Sequence, residues 1–256
     1  MSNNVTFHDL KNASVFITGG GSGIGAAITE GFLAQGAKVA FVQRSECEEF
    51  IETMSSKYNH KPLFIKCDIT DTKALQKAIF KANEAHGGIN ALINNAANDS
   101  RHSLDEMTTE EWDQSININL RPHFFTAQAV APIMRSQGGG SIINFSSASY
   151  LMGNAGYPAY VASKAGITGL TRSLARELGG DNIRVNSLIP GWVLTERQLK
   201  LWANKADLES HLEKQCIKEH LIPNDLIDST LFLASYASRM ITGQALVIDG
   251  GVVVTG

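Results

Sequence analysis

The sequence is poor in cysteine and contains no long apolar run and no cluster of basic residues. Its three cysteines, Cys47, Cys67 and Cys216, lie far apart, which argues against a disulfide framework and favours reduced thiols in the cytoplasm. No apolar segment reaches membrane-spanning length, and residues 1–8 lack the charged start and apolar stretch of a signal peptide. The formal net charge of −3 argues against a nucleic-acid surface, and the spacing of Cys and His predicts no metal site. We therefore expect a cytoplasmic protein that binds neither nucleic acid nor a membrane.

Short apolar runs alternate with longer amphipathic stretches along the whole chain. This alternation predicts helices that carry the chain back between parallel strands, with the sheet covered on both faces. The 256 residues fit one large domain, and no linker or repeat divides them. We predict a single α/β domain over residues 1–256 with a doubly wound, seven-stranded parallel sheet. Strands are expected at 14–18, 38–42, 63–66, 91–94, 141–145, 184–188 and 245–248, and helices at 24–35, 46–58, 72–85, 110–135, 159–178 and 224–234.

Residues 191–222 interrupt this alternation after the sixth predicted strand. The segment contains Trp192, Trp202 and two charged helical turns, and Pro223 follows it. It is placed at the carboxyl end of a strand, the edge at which open α/β sheets bind ligands. We interpret it as a lid over a substrate; a helical hairpin that only packs against the domain is the alternative.

A glycine-rich turn joins the first predicted strand to the first helix. It reads Thr18-Gly-Gly-Gly-Ser-Gly-Ile-Gly25. Glycines allow a sharp turn and a close approach of the backbone to a pyrophosphate, and a helix N-terminus offers N–H donors to that anion. In this strand–turn–helix context the turn predicts a dinucleotide site.

Tyr160 and Lys164 lie four residues apart and would share one helix face, with Ser147 upstream. An ammonium beside a phenol stabilises the phenolate, so we expect the pKa of Tyr160 to be lowered and the residue to serve as a general base. Pro158 fits the first turn of this helix. Such a pair is common by chance, so the interpretation depends on the residues around it.

Taken together, these motifs and others along the chain resemble the short-chain dehydrogenase/reductase family. The turn has the family's Thr-Gly-x-x-x-Gly-x-Gly spacing, and Asn94-Asn-Ala-Ala97 resembles its Asn-Asn-Ala-Gly, with Ala97 in place of glycine. Asn119, Ser147, Pro190-Gly191 and Asp249-Gly-Gly251 follow in the family's order. The resemblance implies a Rossmann-type fold and an NAD(P)-dependent oxidoreductase acting on an alcohol or carbonyl.

The resemblance also implies a role for each matching residue. Tyr160 would be the general acid/base, Lys164 would bind the nicotinamide ribose, Ser147 would hold the substrate oxygen, and Asn119 would hold a water that links Lys164 to solvent. The implied cofactor-binding residues are Gly19, Ser22, Gly23, Ile24, Gly25, Arg44, Asp68, Ile69, Asn95, Tyr160, Lys164, Pro190, Gly191, Val193 and Thr195.

The second strand ends in Gln43-Arg44, without the acidic residue that commonly accepts a hydrogen bond from the ribose of NAD. Arg44 can pair with a 2′-phosphate. We therefore favour NADP, with NAD left open.

The segment Asn98–His102 resembles one in sugar 1-dehydrogenases of the xylose and arabinose type. Amides and acids satisfy hydroxyl groups, and an indole face packs against sugar C–H groups, so we expect a sugar or polyol. The candidate substrate contacts are Asn98, His102, Ser147, Asn154, Tyr157 and Trp192. A 3-oxoacyl-(acyl-carrier-protein) reductase or another ketone reductase is the alternative, and a non-catalytic dinucleotide-binding module is a remote one.

The resemblance further implies a homotetramer that pairs long helices and the C-terminal strand. The apolar surface for it is expected from Phe124, Phe125, Ile167, Leu170 and residues 252–254.

Overall fold

A computed structural model describes residues 5–254. Outside that range lie residues 1–4, which belong to the opening segment considered above, and residues 255–256, which end the predicted domain. Seven parallel strands form one sheet in the order β3-β2-β1-β4-β5-β6-β7. The strands are β1 (Ser14–Thr18), β2 (Lys38–Gln43), β3 (Leu63–Lys66), β4 (Ala91–Asn94), β5 (Gly140–Phe145), β6 (Ile183–Pro190) and β7 (Ala245–Ile248). This confirms the predicted α/β fold class.

Helices follow most of the strands and cover the sheet. They are α1 (Gly23–Ala34), α2 (Glu48–Lys57), α3 (Thr72–His86), α4 (Thr109–Asn119), α5 (Arg121–Ser136), α6 (Pro158–Leu178), α7 (Glu196–Leu201), α8 (Lys205–Lys214) and α9 (Ile227–Ala234). Two apolar clusters fill the two faces, one beneath α1 and α9 and the other beneath α3 and α5. The central strands β1, β4 and β5 are buried on both sides, because each face carries a helical layer, whereas the edge strands β3 and β7 are only partly buried.

The single helix predicted over 110–135 is wrong, because the chain breaks at Leu120. That residue has φ −123° and ψ −51°, outside the helical region, so α4 ends at Asn119 and α5 begins at Arg121. Pro122 lies in the first turn of α5, where its missing N–H has no helical partner to lose. The break turns Asn119 away from a surface position and buries it completely.

The strand order reverses between β1 and β4, and the loops after these strands run to opposite sides. A crevice therefore opens at the carboxyl edge of the sheet, where α/β folds bind ligands. Residues 191–222 rise over this edge as α7 and α8, and a bridge between Val193 and Leu221 closes the segment at its base. No helix within residues 5–254 is long and apolar enough to cross a membrane.

Candidate active site

A cleft of about 1450 Å³ runs along the carboxyl edge of the sheet. This exceeds the roughly 300–1,000 Å³ of ordinary small-molecule pockets, so the space accommodates a dinucleotide together with a second ligand. The glycine turn, Arg44 and Asp68 line one half, and Asn98, Tyr157 and Trp192 line the other. The first half is called the cofactor half and the second the substrate half.

The glycine turn has the shape that a pyrophosphate requires. Gly19 has φ +71°, a conformation that favours glycine, and a Cβ on Gly25 would lie 1.8 Å from the Gly19 carbonyl oxygen. The turn and the start of α1 therefore pack without side chains between them. Ser22 precedes α1 and makes no side-chain cap, so the first N–H groups of the helix are free to meet an anion. The residues present thus fit a dinucleotide.

Asn95 fixes the turn against the end of β4. Its side-chain amide donates to the Thr18 and Gly19 carbonyl oxygens at 3.1 and 3.2 Å, while the Thr18 hydroxyl accepts from the Asn95 and Ala96 N–H groups. Asn95 therefore holds the glycine turn in place through hydrogen bonds, and it also borders the cleft.

The cofactor half continues past the ends of β2, β3 and β6. Asp68 accepts hydrogen bonds from the backbone and hydroxyl of Thr70 at 2.9 and 2.8 Å, whereas Asp71 caps α3. Arg44 lies 4.0 Å from Asp68 and its side chain is 68% exposed. Ile69 and the stretch 190–195, which contains four more predicted cofactor residues, complete the lining.

Ser147, Tyr160 and Lys164 meet at the centre of the cleft. Ser147 ends the segment after β5, and Tyr160 and Lys164 share one face of α6. Lys164 as a whole is 2% exposed, and its ammonium donates to the Phe145 carbonyl at 2.8 Å and lies 5.4 Å from the centre of the Tyr160 ring. This arrangement brings an ionisable hydroxyl, a hydroxyl donor and a cation to one point.

The pKa of Tyr160 is raised in this structure, not lowered as expected. Burial raises the pKa of Tyr160, the Asp99 carboxylate raises it further, and a hydrogen bond with Ser147 and the charge of Arg101 lower it. Burial also lowers the pKa of Lys164 to about 7, because a buried ammonium loses its hydration. The sequence gives the spacing of the two residues but not how deeply each is buried.

Asn119 lies behind the cleft wall and is bound to the loop after β4. Its side-chain oxygen accepts from the Asn98 N–H at 2.8 Å, and its amide donates to the Asn98 carbonyl at 2.9 Å. Asn119 thereby holds Asn98 at the cleft.

The predicted substrate contacts are only partly brought together. Asn98, Asn154, Tyr157 and Trp192 line the cleft, whereas His102 lies outside the lining and contacts the Ser103 carbonyl. The Tyr157 ring stacks on the Tyr160 ring at 5.4 Å.

Three further residues of the substrate half, Asp99, Arg101 and Gln198, are not among the predicted substrate contacts. Arg101 places its guanidinium 3.8 Å from the centre of the Tyr157 ring. Gln198, on α7, donates to Asp99 at 2.7 Å and accepts from the Trp192 indole N–H at 3.0 Å. The loop after β4 and the segment after β6 are nearly a hundred residues apart in the chain, so only the fold shows that they meet.

Comparison with known proteins places the chain in a family. The sequence model described as enoyl-(acyl carrier protein) reductase matches residues 19–253. The "Probable galactose dehydrogenase GalD" of Rhizobium meliloti is 47% identical over 96% of this chain and 97% of its own length. The D-xylose 1-dehydrogenase of Caulobacter vibrioides is 42% identical over the same shares, 96% and 97%.

Two further comparisons complete this picture. The 3-oxoacyl-(acyl-carrier-protein) reductase FabG of Thermotoga maritima is 36% identical over 96% of this chain and 99% of its own. The solved structure of a short-chain type dehydrogenase/reductase from Mycobacterium ulcerans has a TM-score of 0.91, with 24% identity over 97% of this chain and 91% of the other, and shows the same fold. The chain belongs to the short-chain dehydrogenase/reductase family. It is an oxidoreductase that acts on CH–OH groups with a nicotinamide dinucleotide.

Proposed function

We propose that the protein oxidises the anomeric carbon of an aldose to the lactone. The observation that carries this proposal is the lining of the substrate half, which combines an indole, Trp192, with the amide, carboxylate and guanidinium groups of Asn98, Asp99, Arg101 and Asn154. Hydroxyl groups of a sugar satisfy such polar groups, and its C–H faces pack on the indole. The two sugar dehydrogenases among the relatives support the same substrate class.

Tyr160 is the general base of this proposal. It takes the proton of the C1 hydroxyl, the C1–H bond breaks, its electron pair leaves as hydride, and the C1–O double bond of the lactone forms. The nicotinamide ring, when bound, supplies the acceptor for that hydride. Ser147 donates to the reacting oxygen and stabilises its charge, and Lys164 balances the phenolate that Tyr160 must become.

The role of Asn119 as holder of a relay water stays a prediction. Both polar atoms of its side chain bond to Asn98. Asn119 therefore also positions the loop that bears Asn98, Asp99 and Arg101.

Replacement of Tyr160 tests the assignment of the base. We expect Tyr160→Phe to lower kcat by about 10²–10⁴-fold, the usual contribution of general acid–base catalysis, with cofactor binding nearly unchanged. Tyr150→Phe is the matched control, because Tyr150 bonds to Thr168 at 3.2 Å and does not line the cleft. A Tyr160→Phe enzyme with near wild-type kcat would sink the assignment.

The substrate class is tested by nicotinamide absorbance with aldoses, polyols and 3-oxoacyl thioesters. The family match and the FabG relative make an acyl thioester the competing substrate. We expect turnover with aldoses; turnover with thioesters and none with any aldose would replace the proposal by the reductase.

For the cofactor we propose NADP. Gln43 carries no negative charge to repel a 2′-phosphate; its side chain accepts from the Gly21 N–H at 3.0 Å and donates to the Ser45 carbonyl at 2.9 Å. Arg44 lines the same half, and its guanidinium can pair with that phosphate.

Substitution of Arg44 separates the two cofactors. We expect Arg44→Gln to lower kcat/KM for NADP by about tenfold, the loss of roughly 1.5 kcal/mol from one charged contact, and to leave that for NAD within twofold. Lys61→Gln, a change of the same charge before β3, should alter neither. A wild-type preference for NAD would contradict the proposal.

A further inference from the structure

A second cavity opens off the substrate half beneath α8. It has a volume of about 210 Å³, and we call it the annex, bounded by Asn154, Trp192, Ser210 and His211. One face of α8 forms the outer wall of the annex, because four lining residues of this helix recur at helical spacing: Asp207, Ser210, His211 and Lys214. Trp192, Asn154 and His211 border the main cleft as well, so the two spaces are continuous.

A chain of contacts joins the annex to the reacting centre. The Tyr160 and Tyr157 rings stack at 5.4 Å, and the Asn154 amide donates to the Tyr157 hydroxyl at 3.1 Å. Asn154 is itself part of the annex wall. The annex is therefore linked to Tyr160 through Asn154 and Tyr157.

The annex wall combines an apolar face with one buried polar atom that lacks a partner within residues 5–254. The His211 ring packs edge-on against the Trp192 indole at 5.4 Å. Its Nε2 atom is buried and has no hydrogen-bond partner within residues 5–254. Burial lowers the pKa of His211, which favours the neutral ring. The Nε2 atom of a neutral ring can form one hydrogen bond with a hydroxyl group.

We infer that the annex binds the exocyclic hydroxymethyl group on C5 of an aldohexose, so that the protein prefers hexoses to pentoses. This inference rests on the proposed aldose oxidation. In a pyranose the hydroxymethyl group projects from the ring carbon beyond the ring oxygen, away from the C1–H bond that reacts. Its CH₂ meets the indole and its hydroxyl meets His211 and Asn154.

The size of the annex agrees with a small, hydrated group. A volume of 210 Å³ equals about seven water molecules at liquid density, more than a CH₂OH group needs. The remainder leaves room for water between the hydroxyl and the side chains of Asp207 and Lys214, which also line the annex.

Matched sugars isolate this one group. D-Galactose and L-arabinose share their configuration at C2, C3 and C4 and differ by the C5 hydroxymethyl, as do D-glucose and D-xylose. We expect the wild-type protein to favour the hexose of the pair it oxidises. Ser210→Leu, which fills the annex from an exposed position, should lower kcat/KM for that hexose by about tenfold and for the pentose by less than twofold.

Two more variants complete the experiment. Ala206→Leu places the same side chain on an exposed position of α8 that borders neither cavity, and should change neither sugar. His211→Phe keeps a ring against Trp192 but removes the polar atoms, and should again affect the hexose selectively. An equal loss on hexose and pentose, or an unchanged ratio, would overturn the annex assignment while aldose oxidation stands. Wild-type protein that oxidises none of the four sugars would instead remove the proposed function and this inference with it.

Discussion

At the scale of single residues, Arg101 bears on the chemistry although it lies outside the motifs of the family. Its guanidinium lies between the rings of Tyr157 and Trp202, at 3.8 and 5.1 Å from their centres. The Tyr157 ring in turn stacks on Tyr160. A cation held in this way favours the phenolate of Tyr160, and the Arg101 charge is one of the contributions that lower its pKa.

The pH dependence of turnover tests this contribution. In the oxidative direction Tyr160 must lose its proton, so the rate rises with pH as the phenolate forms. Arg101→Gln removes a charge that lowers the pKa of Tyr160. The pKa therefore rises, and we expect the kcat–pH profile for oxidation to move to higher pH, with a lower rate at neutral pH.

The direction of reduction supplies an internal check, because there Tyr160 must carry its proton. The same variant should extend reductive activity to higher pH. Arg172→Gln is the control, since Arg172 lies on an exposed part of α6 and does not contribute to the pKa of Tyr160. A shift of the oxidative profile to lower pH would contradict this account of Arg101.

At the scale of elements, α7 is tied to the loop after β4 by side chains. Gln198 joins Trp192 to Asp99, and Arg197 donates to Asn98 at 3.1 Å and lies 3.5 Å from Asp99. Asp99 is the more buried partner, with 16% of its side chain exposed. We propose that these bonds keep residues 191–222 closed over the substrate half.

Removal of Gln198 should loosen that closure. Gln198→Ala leaves Asp99 and the Trp192 N–H short of partners, a cost of about 1–3 kcal/mol, so we expect kcat/KM for the sugar to fall by about tenfold, mainly through KM. Hydrogen exchange of the α7 amides should become faster. Lys200→Ala, an exposed neighbour on the same helix, should change neither measurement. If Gln198→Ala leaves KM and exchange unchanged, these contacts do not hold the segment.

The strands and helices were largely predictable, because a parallel strand that is buried on both faces has an unbroken run of apolar residues in the sequence. All seven strands lie where those runs predict them, although β6 extends to Pro190 because its end pairs with β7. The break at Leu120 is less visible, since Asn119 and Leu120 both fit a helix pattern. Its local signals are Pro122 and the position of Asn119, where the family resemblance implies a helix kink.

The site residues likewise fall into a group that the sequence predicts and a group that it does not. Motifs after individual strands, such as the glycine turn and Ser147, could be placed from the sequence, because each depends on a short local segment. The contacts of Gln198 with Asp99 and of Arg101 with Tyr157 depend on how distant loops meet, and the pKa of Tyr160 depends on burial. Neither these contacts nor this pKa can be inferred from a short stretch of residues.

At the scale of the whole molecule, apolar side chains remain exposed on the long helices and at the C-terminal edge. Phe124 on α5 is 42% exposed, and Val254 beyond β7 is 87% exposed. Ile167 was expected to contribute to the same surface, but that expectation is wrong because Ile167, on the inner face of α6, is fully buried within the subunit. We propose that the remaining surface pairs copies of the chain in a homotetramer.

A charge on α5 should disrupt that assembly. Burial of a carboxylate in an apolar interface costs several kcal/mol, so Phe124→Glu should convert the tetramer into smaller species, measured by light scattering at fixed protein concentration. Phe80→Glu is the matched control: Phe80 is 49% exposed on α3, which is not among the helices proposed to pair, and its replacement should keep the wild-type mass. Thermal unfolding of both variants distinguishes lost assembly from lost folding. A wild-type monomer, or equal dissociation by both variants, would contradict pairing through α5.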